Sequence, residues 1–280
     1  MGSCSWNNLG SCITNYFFEF ISDGLSLGIQ PFIDVVKKLI TVQPNTELFT
    51  TTYVAIIYML SLFYGLLLIY TGFQFITSGY DIEKRENAKE WFKNIIVMIV
   101  LVQSSYFFYT AALELTSIMT NIFYNMIDPN FFLMSSHNLS GLMMQIICYM
   151  SYILILLLSI ILLSIRYVLA SVGVVLFPIG IFLYFIPPVK AYGSMIVSYL
   201  FSNMFITIPI TIMFKAFSVL INQPIIDSFK ALFQITSFML MIYMIYSFSF
   251  FSMMKSIVQK PIGLGKTVVK SVIMKKVIPK

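Results

Sequence analysis

The sequence predicts an all-α integral membrane protein. It should have about five transmembrane helices, one re-entrant helical hairpin, an amphipathic N-terminal segment and a basic C-terminal tail. Three observations carry this. First, 59% of the 280 residues are hydrophobic, only 10% are charged, and mean hydropathy is +0.90. An average soluble domain holds about 45–50% apolar and about 25% charged residues, so a water-soluble fold of this size could not hide its apolar side chains behind a charged surface. Second, uncharged stretches of about 20 residues or more recur, the length a helix needs to cross the hydrocarbon core. Third, the net charge of +6 is a property of one end: residues 255–280 hold seven lysines and no acid, which leaves the body close to neutral. Soluble enzymes, disordered tails, disulfide-rich secreted modules and DNA-reading domains are excluded.

The elements follow in chain order. Residues 1–47 form an extracytoplasmic or interfacial segment with no signal peptide, since no Lys or Arg precedes its apolar part. Between 13 and 40 the apolar residues recur every three or four positions, but Glu19, Asp23, Asp34 and Lys37 are too many charges for a span. This segment lies on the membrane surface or packs on the bundle. Cys4 and Cys12 either close a disulfide, if this end is extracytoplasmic, or remain two free thiols.

The bundle occupies 48–254. The first span covers about 50–76 and the second about 94–121. The connector between them carries Lys84, Arg85, Lys89 and Lys93, with Trp91 and Phe92 suited to the headgroup region. The loop 126–141 has no Lys or Arg and contains an Asn138-Leu139-Ser140 sequon. A third span covers 142–165, and two more cover about 194–220 and 231–254.

Residues 167–187 need a decision. They are uncharged, follow Arg166, and contain Gly173, Pro178, Gly180, Pro187 and Pro188. As a sixth crossing they would leave the lysine-rich tail outside, against the positive-inside rule. As a re-entrant hairpin they keep Arg166 and Lys190 on the cytoplasmic side and bring the tail in. The expected topology is therefore multi-pass in the cytoplasmic membrane, N-terminus outside and C-terminus cytoplasmic.

Polar residues within the spans are the candidate sites. Glu114 lies about 21 residues from Lys93, and Lys215 about 21 residues from Ser194. At about 1.5 Å per residue the two reach the same depth, so either they pair or each snorkels to the interface. Gln103, Ser104 and Ser105, with Asn203, line a pore or make interhelical hydrogen bonds. Ser194, Ser198 and Ser202 form a small-residue face that admits a neighbouring helix. Lys255, Lys260, Lys266, Lys270, Lys275, Lys276 and Lys280 build a basic amphipathic tail suited to anionic lipid, to an acidic cytoplasmic partner or to nucleic-acid phosphates. No catalytic constellation accompanies the single histidine, His137, and Gly265-Lys266-Thr267 lacks the earlier glycine and the strand of a phosphate loop. Neither an enzyme, a cofactor nor a metal is expected.

Two stretches together carry a family resemblance. One runs from Gly72-Phe73-Gln74-Phe75 through Lys84-Arg85-Glu86-Asn87-Ala88-Lys89-Glu90-Trp91-Phe92-Lys93 into Val100-Leu101-Val102. The other runs from Arg166-Tyr167-Val168 through Phe177-Pro178-Ile179-Gly180 to Ile186-Pro187-Pro188 and Tyr192-Gly193. Over about 50–220 the chain resembles the TrbL-like polytopic membrane subunits of type IV secretion and conjugation machines, in particular archaeal relatives that include DNA-import systems. The 50–125 hairpin alone is also similar to conjugative pilins. The resemblance implies an outside N-terminus, about five spans and a cytoplasmic C-terminus. It further implies a channel or platform role in moving DNA or protein, as a homo-oligomer with other secretion subunits and a separate cytoplasmic ATPase. Other readings of the same composition are a small-solute transporter and a non-conducting scaffold.

Overall fold

The computed structural model describes residues 28–79, 81–132, 142–223 and 229–258. Among these the chain is helical: α1 (28–41), α2 (Thr50–Thr77), α3 (Ile82–Gln103), α4 (Ser105–Tyr124), α5 (Leu142–Phe185), α6 (Lys190–Phe205), α7 (Thr207–Leu220) and α8 (Lys230–Val258). Short 3-10 turns occupy Glu47–Phe49, Pro129–Phe132 and Pro187–Val189. Four stretches are long and apolar enough to cross a membrane, and a fifth is added if the bent pair α3 and α4 counts as one span. The five are α2, α3 with α4, α5, α6 with α7, and α8, as expected of a multi-pass membrane protein.

Helix ends have local causes. Asp81 caps α3, its carboxylate accepting from the Glu83 and Lys84 amides at 3.1 and 3.3 Å. The α3–α4 axis bends by 56° at Ser104. There, Ser104 Oγ donates to the Val100 carbonyl (2.7 Å), which also accepts the Ser104 amide (3.0 Å), and Ser105 Oγ donates to the Val102 carbonyl (2.6 Å), so seryl hydroxyls bond back into the turn that ends at the bend. The α6–α7 break at Ile206 precedes Pro209, which falls in the first turn of α7, where its missing N–H costs least.

The re-entrant hairpin expected at 167–187 is not formed. Leu142–Phe185 is one helix of 44 residues with Pro178 inside it. Proline removes a single i→i−4 bond, whereas a reversal at membrane depth would unpair several backbone groups at about 2–7 kcal/mol each. The chain turns later, at Ile186-Pro187-Pro188, where consecutive prolines cannot continue a helix. At about 1.5 Å per residue α5 is roughly 66 Å long, against a hydrocarbon core of about 30 Å. Its second half is apolar for another reason: Ala170, Val174, Val175, Phe177 and Phe182 are buried by protein.

The chain divides into two compact units. Among the described residues the first comprises 28–43, 115–132, 142–167, 205–223 and 229–246. Here α1 is packed on the bundle, inserting Ile29, Ile33, Val36 and Ile40 into a core with Tyr152, Leu156, Phe214, Phe238 and Met241. The spacing of four, three and four turns one helical face inward. Pro31 is accommodated in the first turn.

Among the described residues the second unit comprises 44–79, 81–114, 168–204 and 247–258. Its core joins Leu60 and Tyr64 of α2, Ile95, Met98 and Val102 of α3, and Phe182 of α5. Within it the C-terminal half of α5 and α6 form a close antiparallel pair. A β-carbon at Gly193 would overlap the Tyr184 amide and lie 2.6 Å from the Gly180 carbonyl oxygen. One at Gly180 would meet Ile196 and Val197 side chains at 3.0 Å. Gly180, expected to help break a hairpin, therefore serves contact between two helices, and Gly193 lies beside Ser194, the first residue of the Ser194, Ser198 and Ser202 face. Those serines are half-buried.

Two outcomes follow. Gly193→Ala should destabilise by about 1–3 kcal/mol through overpacking, read as a lower Tm in lipid nanodiscs, while Ser194→Ala stays within about 0.5 kcal/mol; the reverse order would contradict the contact. The Asp81 carboxyl is held below its ordinary value, first by the Lys84 amide and then by the Lys84 ammonium at 3.3 Å. Its contribution is whole above the ordinary aspartate value and fades as pH falls through the lowered one. Asp81→Asn should flatten this acid-side loss of stability, and an unchanged pH profile would exclude the cap.

A polar clamp on the 126–132 segment

After α4 the chain does not leave the first unit as a solvated loop. Residues 126–132 turn back into its core. The Phe131 amide donates to the Asp128 carbonyl (2.9 Å) and starts the Pro129–Phe132 turn, so the Asp-Pro-Asn sequence acts locally as a helix start. Phe131 and Phe132 are buried, in ring contact with Phe214 (centroids 6.0 and 5.7 Å), and Phe132 also with Phe238 (6.3 Å). Lys37 of α1 lies 5.1 Å from the Phe132 ring centroid, close enough for a cation–π contact.

Irregular backbone within a bundle must have its polar groups met by side chains. Three helices supply them. From α5, Tyr152 donates to the Phe132 carbonyl at 2.9 Å, and from α8, Gln234 Nε2 donates to the Phe131 carbonyl at 2.6 Å. From α7, Lys215 Nζ donates to the Met126 carbonyl at 2.5 Å, and Ser218 Oγ accepts from the Asp128 amide at 3.0 Å. Asn222 Nδ2 reaches the Asp128 carboxylate at 3.4 Å and the Ser218 carbonyl at 3.2 Å. Tyr152, Ser218 and Gln234 are each 2% exposed or less. These bonds fix the segment.

Sequence reasoning placed Lys215 at this depth and left it either paired with Glu114 or snorkelling alone to the interface. Its ammonium is bonded to the Met126 carbonyl within its own unit, in place of Glu114, which is exposed on α4 and belongs to the second unit. The carbonyl was invisible to a depth argument that counted only charges. Tyr152, Ser218 and Gln234 were missed. Their signal was a polar side chain interrupting each apolar run, which Gln103, Ser104 and Ser105 at the α3–α4 bend shared.

The three residues at the bend separate. Ser105 shares a 3.1 Å hydrogen bond with the Tyr53 hydroxyl of α2, Ser104 serves its own helix, and Gln103 is exposed. Asn203 is buried and partnered, as is Arg166. Gly173 admits Tyr109, whose hydroxyl donates to the Ala170 carbonyl at 2.7 Å; a side chain there would collide with it. Lys255 belongs to the last turns of α8. Cys4, Cys12, His137, the sequon and Lys260, Lys266, Lys270, Lys275, Lys276 and Lys280 lie outside the described residues.

Removing one clamp donor leaves a buried carbonyl open, a loss of about 1–3 kcal/mol. Tyr152→Phe and Gln234→Leu should each lower Tm accordingly, whereas Thr236→Ala, on the exposed side of α8, should not. Equal effects from all three would contradict the clamp.

No curated protein and no solved structure matches the chain. The model of the TrbL/VirB6 plasmid conjugal transfer like proteins matches residues 34–270, from α1 to beyond α8. With five apolar helical stretches in hand and a match over most of its length, the chain belongs to the TrbL/VirB6 plasmid conjugal transfer like family.

Proposed function

We propose that the chain is a channel or platform subunit of a type IV secretion-like apparatus that moves DNA or protein across the cytoplasmic membrane, and that it is not an enzyme. The match over 34–270 is the observation that carries this reading. Charge supports the orientation: the α2–α3 connector holds Lys84, Arg85, Lys89 and Lys93, the 126–141 loop holds no Lys or Arg, and 255–280 holds seven lysines. Connector and tail are then cytoplasmic, the loop and N-terminus outside. The cores of both units are filled by aromatic and aliphatic side chains. A polymer would therefore pass along faces shared by several copies of the chain rather than through either core, and the reading includes a homo-oligomer. An ATPase supplies the work, and the basic tail meets it or the emerging nucleic acid. Deletion of 255–280 should abolish transfer while insertion and the accessibility of a cysteine at 190 are unchanged; normal transfer without the tail would refute its docking role.

One observation favours a small-solute transporter. Such folds carry broken helices in both halves, and here both the α3–α4 and the α6–α7 spans are interrupted, at Ser104 and Ile206. Solute uptake by the purified chain in liposomes, without other subunits, would support this reading over the first.

A further inference from the structure

The first turns of α3 divide their charges by sign. The helix presents three faces. Ala88, Ile95, Met98 and Val102 are buried. Glu83, Glu86 and Glu90, spaced by three and four, share a second face, and Arg85, Lys89 and Lys93, spaced by four, share a third. All six charged side chains are exposed, and the ion pair of this region, Asp81 with Lys84, uses none of them.

The third face does not end with the cations. Ile96 and Val100 continue it at spacings of eleven and fifteen from Arg85, and Ile82 and Phe92 flank it. These four are exposed by 45%, 60%, 80% and 42%. One uninterrupted stripe is thus cationic for two turns and apolar for the next two. The change falls at Trp91 and Lys93, and Trp91 packs against the cluster that also holds Ile186, at the turn leading to Lys190. Lys190 is itself exposed, with its ammonium 5.1 Å from the Tyr184 ring centroid.

We propose that this face of α3 is a binding site for an anionic phospholipid of the cytoplasmic leaflet. The phosphate is held by Arg85, Lys89 and Lys93, and the acyl chain lies along Ile96 and Val100. Charge complementarity selects the headgroup. The apolar continuation selects a lipid over an acidic protein, which would have no use for it. The glutamates border this face at i,i+3 spacing, Glu86 beside Lys89 and Glu90 beside Lys93, but all six charged side chains are exposed to solvent and none takes part in the ion pair of this region, so the cations remain available to a phosphate. The inference rests on the orientation under Proposed function but not on the transfer role, because it is read without any other subunit.

The test uses the full chain in vesicles, with Phe92→Trp in a Trp6→Phe, Trp91→Phe background as the reporter. Quenching by brominated phosphatidylglycerol is compared with quenching by brominated phosphatidylcholine at equal mole fraction. Each cation near the surface is worth about 1 kcal/mol, or about fivefold. The anionic lipid should be preferred by at least about fivefold, Lys89→Gln should reduce this by about fivefold, and the Arg85→Gln, Lys89→Gln, Lys93→Gln triple should abolish it. The Glu83→Gln, Glu86→Gln, Glu90→Gln triple should keep the preference. Equal quenching by the two lipids overturns the proposal. So does a basic triple that loses transfer in cells while keeping its lipid preference, which would make the stripe a protein contact.

Discussion

The absence of water from the hydrocarbon core is the constraint on which the structure depends. Every backbone N–H and C=O at that depth must be satisfied by the chain itself. The chain meets this in two ways. Where it can, it stays helical, and α5 remains so for 44 residues through Gly173, Pro178 and Gly180. Where it breaks, side chains supply the missing partners. At Ser104 two hydroxyls serve carbonyls of the preceding turn, and at 126–132 four side chains from three helices serve the main chain.

This explains which parts of the fold could be read from the sequence. The spans were legible because hydrophobic length is a direct requirement of the bilayer, and the connector was legible because its charges cannot enter it. The 167–187 segment was misread because glycine and proline have two uses. They interrupt helices in water, but in a packed bundle glycine lets backbones approach and an isolated proline costs one hydrogen bond. Gly180 is in the first role only if its neighbours are ignored; Ile196 and Val197 packed against it show the second. Composition also cannot separate apolar surface meant for lipid from apolar surface meant for protein, so the buried half of α5 read like another piece of membrane.

The polar sites divide in the same way. Lys215 was found because a charge in a span stands out, yet its partner is a main-chain carbonyl that no pairing of charges reveals. Ser105 was one of several hydroxyls, and only the packing of α2 shows that Tyr53 is its partner. The α1 periodicity left two homes for an amphipathic helix, a membrane surface or a bundle, and the core around Ile33 and Val36 is what decided between them. For a family whose members belong to conjugal transfer systems, the consequence is a subunit whose two cores are filled by aromatic and aliphatic side chains.

Residue-resolved amide hydrogen exchange through 170–185, with the full chain in nanodiscs, tests the central claim most directly. If the backbone stays internally satisfied, the amides of Gly173 through Phe182 exchange slowly and uniformly, with no fast position around Pro178. A window of fast exchange at Ile179–Ile181, flanked by protected residues, would mean that the helix is broken there, and the account of a chain that avoids open backbone at membrane depth would be wrong.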